Sequence, residues 1–247
     1  MKRWGMFAIG VGACALSLIA TAPATLVDAG LESASQGRLR LAEAQGTLWS
    51  GSGQIEIRDK SGRTGVAKSL VWRVVPESLL RGHLVCEVGL DQSTRRFPVT
   101  ISLSRIELAN ADISLPAAVL GLGVPKLAPL GLTGDVLIHV ASLSIARDAM
   151  DGNATLQWRA AGSALTSVSP LGDYEVRLDG EGMTVHAYLR TIEGPLYLDG
   201  KGSWKRGDIP AFLATARVAA QHQQQLAPLL RLIAVERGEG LFELQLK

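Results

Sequence analysis

Charge is missing from the start of this chain. Between Arg3 and Asp28 there is no Lys, Arg, Asp or Glu, and the run WGMFAIGVGACALSLIATAPATLV fills the gap. As a helix rising 1.5 Å per residue it would extend about 36 Å, more than the ~30 Å hydrocarbon core of a bilayer. Lys2 and Arg3 precede it, so the positive-inside rule keeps the N-terminus cytoplasmic. Residues 1–27 are therefore predicted to be a cytoplasmic stub and transmembrane anchor, crossing with residues 4–27, and residues 28–247 to lie beyond the membrane. A cleaved signal peptide is the alternative. Ala20-Thr21-Ala22 and Ala22-Pro23-Ala24 both have the small-x-small pattern, but Pro23 follows the first site and sits within the second. The run also exceeds the 7–15 residues typical of a signal core. A pilin-like start is set aside, because such segments carry an early Glu and no acid precedes Asp28.

Cysteine is equally scarce. Cys14 falls in the apolar run and Cys86 stands alone beyond it, so no disulfide is expected within the chain. In the setting Leu84-Val85-Cys86, the thiol reads as a small buried hydrophobe. Net charge is lacking too. Of 25 Lys and Arg, 23 follow the anchor, against 23 Asp and Glu, which gives no basic face for nucleic acid. Aromatic residues make up only 5 %, whereas there are 27 glycines. The core must be built of Leu, Val, Ile and Ala between glycine turns, which favours a β-rich domain.

Catalytic signatures are also missing. His83, His139, His186 and His222 are scattered, with no metal-ligand spacing among them. There is no G-x-S-x-G, and Gly200-Lys201-Gly202 lacks the Ser or Thr that a phosphate loop places after its Lys. Asp179, Glu181, Glu193 and Asp199 flank glycine turns, where solvated acids are the default. The expectation is a non-enzyme without cofactor or metal. A hydrolase would need paired carboxylates or a nucleophile beside a base, and no local motif supplies them.

What is present is alternation. Arg38-Leu39-Arg40-Leu41 and Gln54-Ile55-Glu56-Ile57-Arg58 have the period of two that gives a strand one buried face. Further strands are predicted at 69–75, 83–90, 98–104, 134–140, 142–145, 152–160, 173–179, 184–190, 195–204, 214–219 and 240–246. Helices are predicted over 25–36, at Pro76–Leu80, over 115–120, and over 221–234 with a kink at Pro228. The tetrad Leu-Ala-Pro-Leu occurs at 127–130 and again at 226–229, each time ahead of a strand. This echo raises the alternative of two similar halves, 37–147 and 148–247, within one continuous domain. The predicted fold is mainly β, an extended, curved antiparallel sheet with a few short helices.

The remaining signal is the placement of Trp, Gly and Pro. Gly46-Thr47-Leu48-Trp49-Ser50-Gly51 is followed by Leu70-Val71-Trp72-Arg73-Val74-Val75-Pro76. Then come Leu156-Gln157-Trp158, Pro170-Leu171-Gly172-Asp173-Tyr174 and Gly200-Lys201-Gly202-Ser203-Trp204. In this order, behind one anchor, these blocks resemble the type II secretion system protein N family. The resemblance implies a bitopic inner-membrane protein with a periplasmic β-rich domain, assisting export of folded proteins across the outer membrane through contacts with other secretion subunits. It carries no catalytic residues. Trp49, Trp72, Trp158 and Trp204 are expected to fill a core. Gly46, Gly51 and Gly202 are expected to mark turns or bulges beside large rings. Pro170, Leu171 and Gly172 read as a turn that presents Tyr174, whose hydroxyl should find a backbone partner. The functional alternative is a periplasmic lipid-binding or lipid-transfer protein using an apolar groove of the sheet, with lipid as its partner.

Overall fold

The computed structural model describes residues 17–59, 62, 64–91, 95–205, 208, 211–238 and 240–246. They form two units, one through Arg96 and one from Phe97 onward. The described strands number fourteen, and every pairing between them within a unit is antiparallel.

In the first unit, a helix α1 (Thr25–Ser35) precedes strands β1 (Leu39–Gly46), β2 (Ser50–Arg58), β3 (Thr64–Val75) and β4 (Leu84–Leu90). The strands pair in chain order. β3 shows why this sequence makes a sheet. Val66, Leu70, Trp72 and Val74 are buried, while Ala67, Val71 and Arg73 between them face outward. Pro76 opens a single 3-10 turn, Pro76–Arg81, where its fixed φ suits a first helical position, and Gly82 ends that turn at φ 76°. α1 lies over the inner face. Val27 and Leu31 pack against Ala24, Leu41, Leu70 and Trp72.

The predicted 4–27 crossing divides here. Residues 4–16 lie outside the described residues. Residues 17–20 are helical, but the helix ends at Thr21, because Pro23 has no N–H and disfavours a helical Ala22 before it. Ala22 accepts a hydrogen bond from the Leu48 amide at 2.8 Å, Pro23 bridges to Thr47, and the Ala24 amide donates to Gly46 at 3.2 Å. Residues 22–27 thus belong to the first unit. Among the described residues, no helix is long and apolar enough to cross a membrane.

The second unit holds β5 (Phe97–Ile101), β6 (Arg105–Pro116), α2 (Ala118–Gly123), a 3-10 turn (Pro125–Leu130), β7 (Leu132–Ala146) and β8 (Met150–Ser163). β9 (Gly172–Glu181), β10 (Thr184–Glu193), β11 (Leu196–Lys205) and β12 (Phe212–Val218) continue the meander. After α3 (Gln223–Leu230), β13 (Val235–Gly238) and β14 (Leu241–Leu246) close it, with β14 pairing to β12 and β13 lying outermost. The boundary between units at Arg96 differs from the division considered near residue 147. A cut there would part β7 from β8, which pair from Leu132–Ser163 to Ile145–Met150.

Both Leu-Ala-Pro-Leu tetrads fall in this second unit. Leu130 of the first joins Leu226 and Leu229 of the second in one core with Leu171, Leu196 and Phe242. Both tetrads thus contribute leucines to one core.

Candidate functional site: an apolar cavity in the second unit

On β8 to β12, alternate side chains point to one face. Trp158 sits opposite Tyr174, Leu156 opposite Val176, and Leu178 opposite Ala187. These registers put a continuous apolar surface on that face. α2, its following 3-10 turn and α3 cover one end of it. There Leu130, Leu171, Leu196, Leu226, Leu229 and Leu230 are buried. Further along the strands the cover stops. Leu156, Val176, Leu178, Leu189 and Leu198 are only half-buried. Between the covered end and these side chains lies a cavity of about 700 Å³.

Among the described residues, the walls carry no charged side chain, and the hydroxyls of Ser163 and Tyr174 are already engaged. Ser163 donates to the Leu130 carbonyl at 2.5 Å and accepts from the Leu165 amide at 3.2 Å. The Tyr174 hydroxyl lies 3.0 Å from the Leu171 carbonyl and 2.9 Å from that of Leu196, and shares its single proton between them. Burial, with Asp173 close by, pushes its phenol far above the usual tyrosine range, so it stays a donor. The Trp158 indole donates to the Thr133 carbonyl at 2.9 Å, and its ring lies 5.8 Å from that of Tyr174.

The structure separates the sequence-predicted residues into two groups. Trp158, Leu171, Tyr174 and Trp204 meet around the cavity. Gly172, at φ 152°, leaves room for the Tyr174 ring to fold back, since a Cβ there would stand 2.6 Å from the Glu193 carbonyl and 3.0 Å from the Tyr174 hydroxyl. Pro170 is exposed, follows Ser169 through a cis peptide and begins that turn. Gly202 lies against the Phe212 ring at the far end of the cavity. The other group is in the first unit. Gly46 (φ 95°) and Gly51 bound the β1–β2 turn, and Gly51 abuts the Trp72 ring. Trp72 is buried, and its indole points at the Thr47 and Leu48 carbonyls, 3.2 Å from each. Trp49 is half-buried and donates to the Ile19 carbonyl at 2.8 Å. Pro76 starts the turn before β4.

Of the four tryptophans expected to fill a core, Trp158 and Trp204 line a cavity. Val176, Leu178, Leu189 and Leu198 were not among the sequence-predicted residues, and Leu156 was named only within Leu156-Gln157-Trp158. Their signal is the alternation in β8 to β11, but how far a covering helix reaches is not written in that alternation. Among the described residues, no three His, Cys, Asp or Glu stand together as metal ligands would.

Residues 37–245 match the family model for type II secretion system protein N. The chain belongs to the type II secretion system protein N family. The match spans both units and contains Gly46, Trp49, Gly51, Trp72, Pro76, Trp158, Pro170, Leu171, Gly172, Tyr174, Gly202 and Trp204. It identifies the chain with a type II secretion component. No curated protein and no solved structure matches the chain.

Proposed function

We propose that this protein N chain is an accessory subunit of the type II secretion apparatus. It is held in the inner membrane by its N-terminal apolar run, presents both β-rich units to the periplasm, and acts through protein contacts without catalysis. The family match over residues 37–245 carries this reading. The residues with no charge before Asp28 support the membrane attachment.

β1 of the first unit and β13 of the second are not equivalent as docking edges. On β1 the Leu39 amide donates to the Ser35 hydroxyl at 2.9 Å, and the Leu41 amide donates to the Asp28 carboxylate at 2.7 Å. α1 therefore occupies that edge. β13 is four residues long and exposed throughout, with Arg231–Glu236 and Arg237–Glu243 ion pairs, each at 2.9 Å, beside it. A short, charge-flanked edge resists indiscriminate pairing but admits a specific strand. The partner contact is assigned to β13.

The test is photocrosslinking of the full chain in secreting cells, with Val235→benzoylphenylalanine on β13 and Gln45→benzoylphenylalanine on β1. Adducts with other secretion subunits at Val235, and few at Gln45, are expected. No secretion subunit at either position would end the reading; adducts at Gln45 alone would end the edge assignment.

A second reading, lipid binding by the inner face of the second unit, is favoured by one observation, the uncharged cavity of about 700 Å³. Apolar cavities of a few hundred Å³ or more suit hydrophobic ligands.

A further inference from the structure

We propose that the cavity of the second unit binds an acyl chain of a membrane phospholipid, laid along strands β9 to β11. The inference deepens the lipid-binding reading above and rests on it.

The walls decide what can enter. An extended peptide brings an N–H and a C=O with every residue, and burying such groups without partners is costly. The hydroxyls of Ser163 and Tyr174 are spent on backbone carbonyls, and among the described residues no charged group lines the space. A helix satisfies its own backbone, but its diameter is about 10–12 Å, so two turns would need roughly 850 Å³ or more. That exceeds the 700 Å³ present. Water would find few of the two to four polar partners it needs. A hydrocarbon chain has no polar group to satisfy.

Length agrees. Leu196 lies at the end of the cavity packed by the buried leucines and Trp204 at the other, eight residues along β11. At about 3.3 Å per residue that is roughly 26 Å. One leaflet's acyl chain fills about half of a ~30 Å hydrocarbon core, so about 15 Å. One chain therefore fits lengthwise, its end methyl against the packed leucines and its glycerol side toward Trp204. The two faces of the sheet provide an internal comparison. On β10, Leu189 lines the cavity, whereas Tyr188 is 50 % exposed on the opposite face.

The experiment uses the full chain reconstituted in vesicles of phosphatidylethanolamine and phosphatidylglycerol. It carries benzoylphenylalanine at Leu189 or, separately, at Tyr188, and adducts are weighed by mass spectrometry after irradiation. Phospholipid adducts at Leu189 and not at Tyr188 are expected. Ala187→Phe, which places a ring into the cavity, should lower the Leu189 adduct about tenfold, equivalent to ~1.4 kcal/mol of binding. Ala214→Leu at a second wall position should act in the same direction, and circular dichroism shows that both variants remain folded.

Equal adducts at both positions, or adducts untouched by two folded filling variants, would overturn the cavity while leaving lipid binding by the sheet in place. No phospholipid adduct at either position would overturn both. Where palmitate is added to the vesicles, a fatty-acid adduct in place of phospholipid would overturn the assigned source.

Discussion

Tyr174 carries a prediction that tests how the second unit holds its cavity open. The side chain is 2 % exposed, and its hydroxyl ties the Leu171 and Leu196 carbonyls at 3.0 and 2.9 Å. Tyr174→Phe keeps the ring beside Trp158 and removes only those bonds. The Leu171 carbonyl retains the Leu196 amide at 3.1 Å, so the loss falls mainly on the Leu196 carbonyl in an apolar wall. A net hydrogen bond contributes about 1 kcal/mol, and an abandoned buried carbonyl costs about 1–3 kcal/mol. The expected loss is about 1–2 kcal/mol, a factor of roughly 5–30 in the opening equilibrium. Amide hydrogen exchange at β9 and β11 reads that factor directly. Tyr174→Ala also removes a ring that neighbours an existing void, and should cost about 3–5 kcal/mol. The phenol's pKa is raised by burial, so its contribution is complete below the ordinary tyrosine value near pH ~10 and is lost as pH rises through the folded value. Exchange in Tyr174→Phe within about twofold of the parent, well under the 1.4 kcal/mol that makes tenfold, would refute the assignment of strength to that hydroxyl.

Other outcomes follow from the first unit. Gly51→Ala would drive a methyl into the Trp72 ring and the Gln45 carbonyl, so a loss of about 1–3 kcal/mol in urea unfolding is expected. The Asp28 carboxyl is held below its usual range, first by the Arg40 side chain and then by the Leu41 amide. Because the folded value is the lower one, this stabilisation is present above about pH 4 and disappears as pH falls through the folded value. Asp28→Asn should cost about 1–2 kcal/mol in protection of α1 and β1 at neutral pH, and the difference from the parent should vanish in acid. Burial pushes the Cys86 thiol upward, so in a Cys14→Ser chain its alkylation at pH 8 should be about tenfold slower folded than unfolded. Trp49→Phe removes the 2.8 Å bond to Ile19 and should raise exchange of the β1–β2 turn about fivefold, while a change spread evenly over β3 and β4 would contradict a local role.

The β character was legible because β3 and β12 alternate cleanly, with Ala214, Ala216 and Val218 buried between exposed neighbours. β6 was missed for a physical reason. Ile106 and Leu108 occupy one parity and Ala111, Ile113 and Leu115 the other, and the switch falls at Asn110, which adopts φ 51°. A count of period two breaks there although the strand continues to Pro116. The predicted helix over 115–120 therefore starts late, at Ala118. β13 was missed because its Val-Glu-Arg-Gly holds a single apolar residue. The end of the apolar N-terminal run was ambiguous for a different reason. Ala22, Ala24 and Val27 are as compatible with a small-residue contact against a sheet as with lipid, and composition alone does not distinguish them. The cavity was the least legible feature, since it depends on where helical cover ends.

That limit is a matter of length. α3 has eight residues and is about 12 Å long, whereas β9, β10 and β11 have ten residues each and extend about 33 Å. A helix of that size, joined by the 3-10 turn before β7, packs one end of the inner face and leaves the rest of its leucines half-buried. The sequence does not compensate by turning polar where cover is lacking, because the half-buried Val176, Leu178 and Leu189 are all apolar. An unoccupied face of this kind would leave apolar area in water at about 25 cal/mol per Å². The proposed acyl chain would recover that energy, and walls without a charged side chain among the described residues suit a hydrocarbon. The two proposals place a secretion partner at the β13 edge and an acyl chain on the inner face of β9 to β11. Secretion contacts should therefore survive substitutions that fill the cavity.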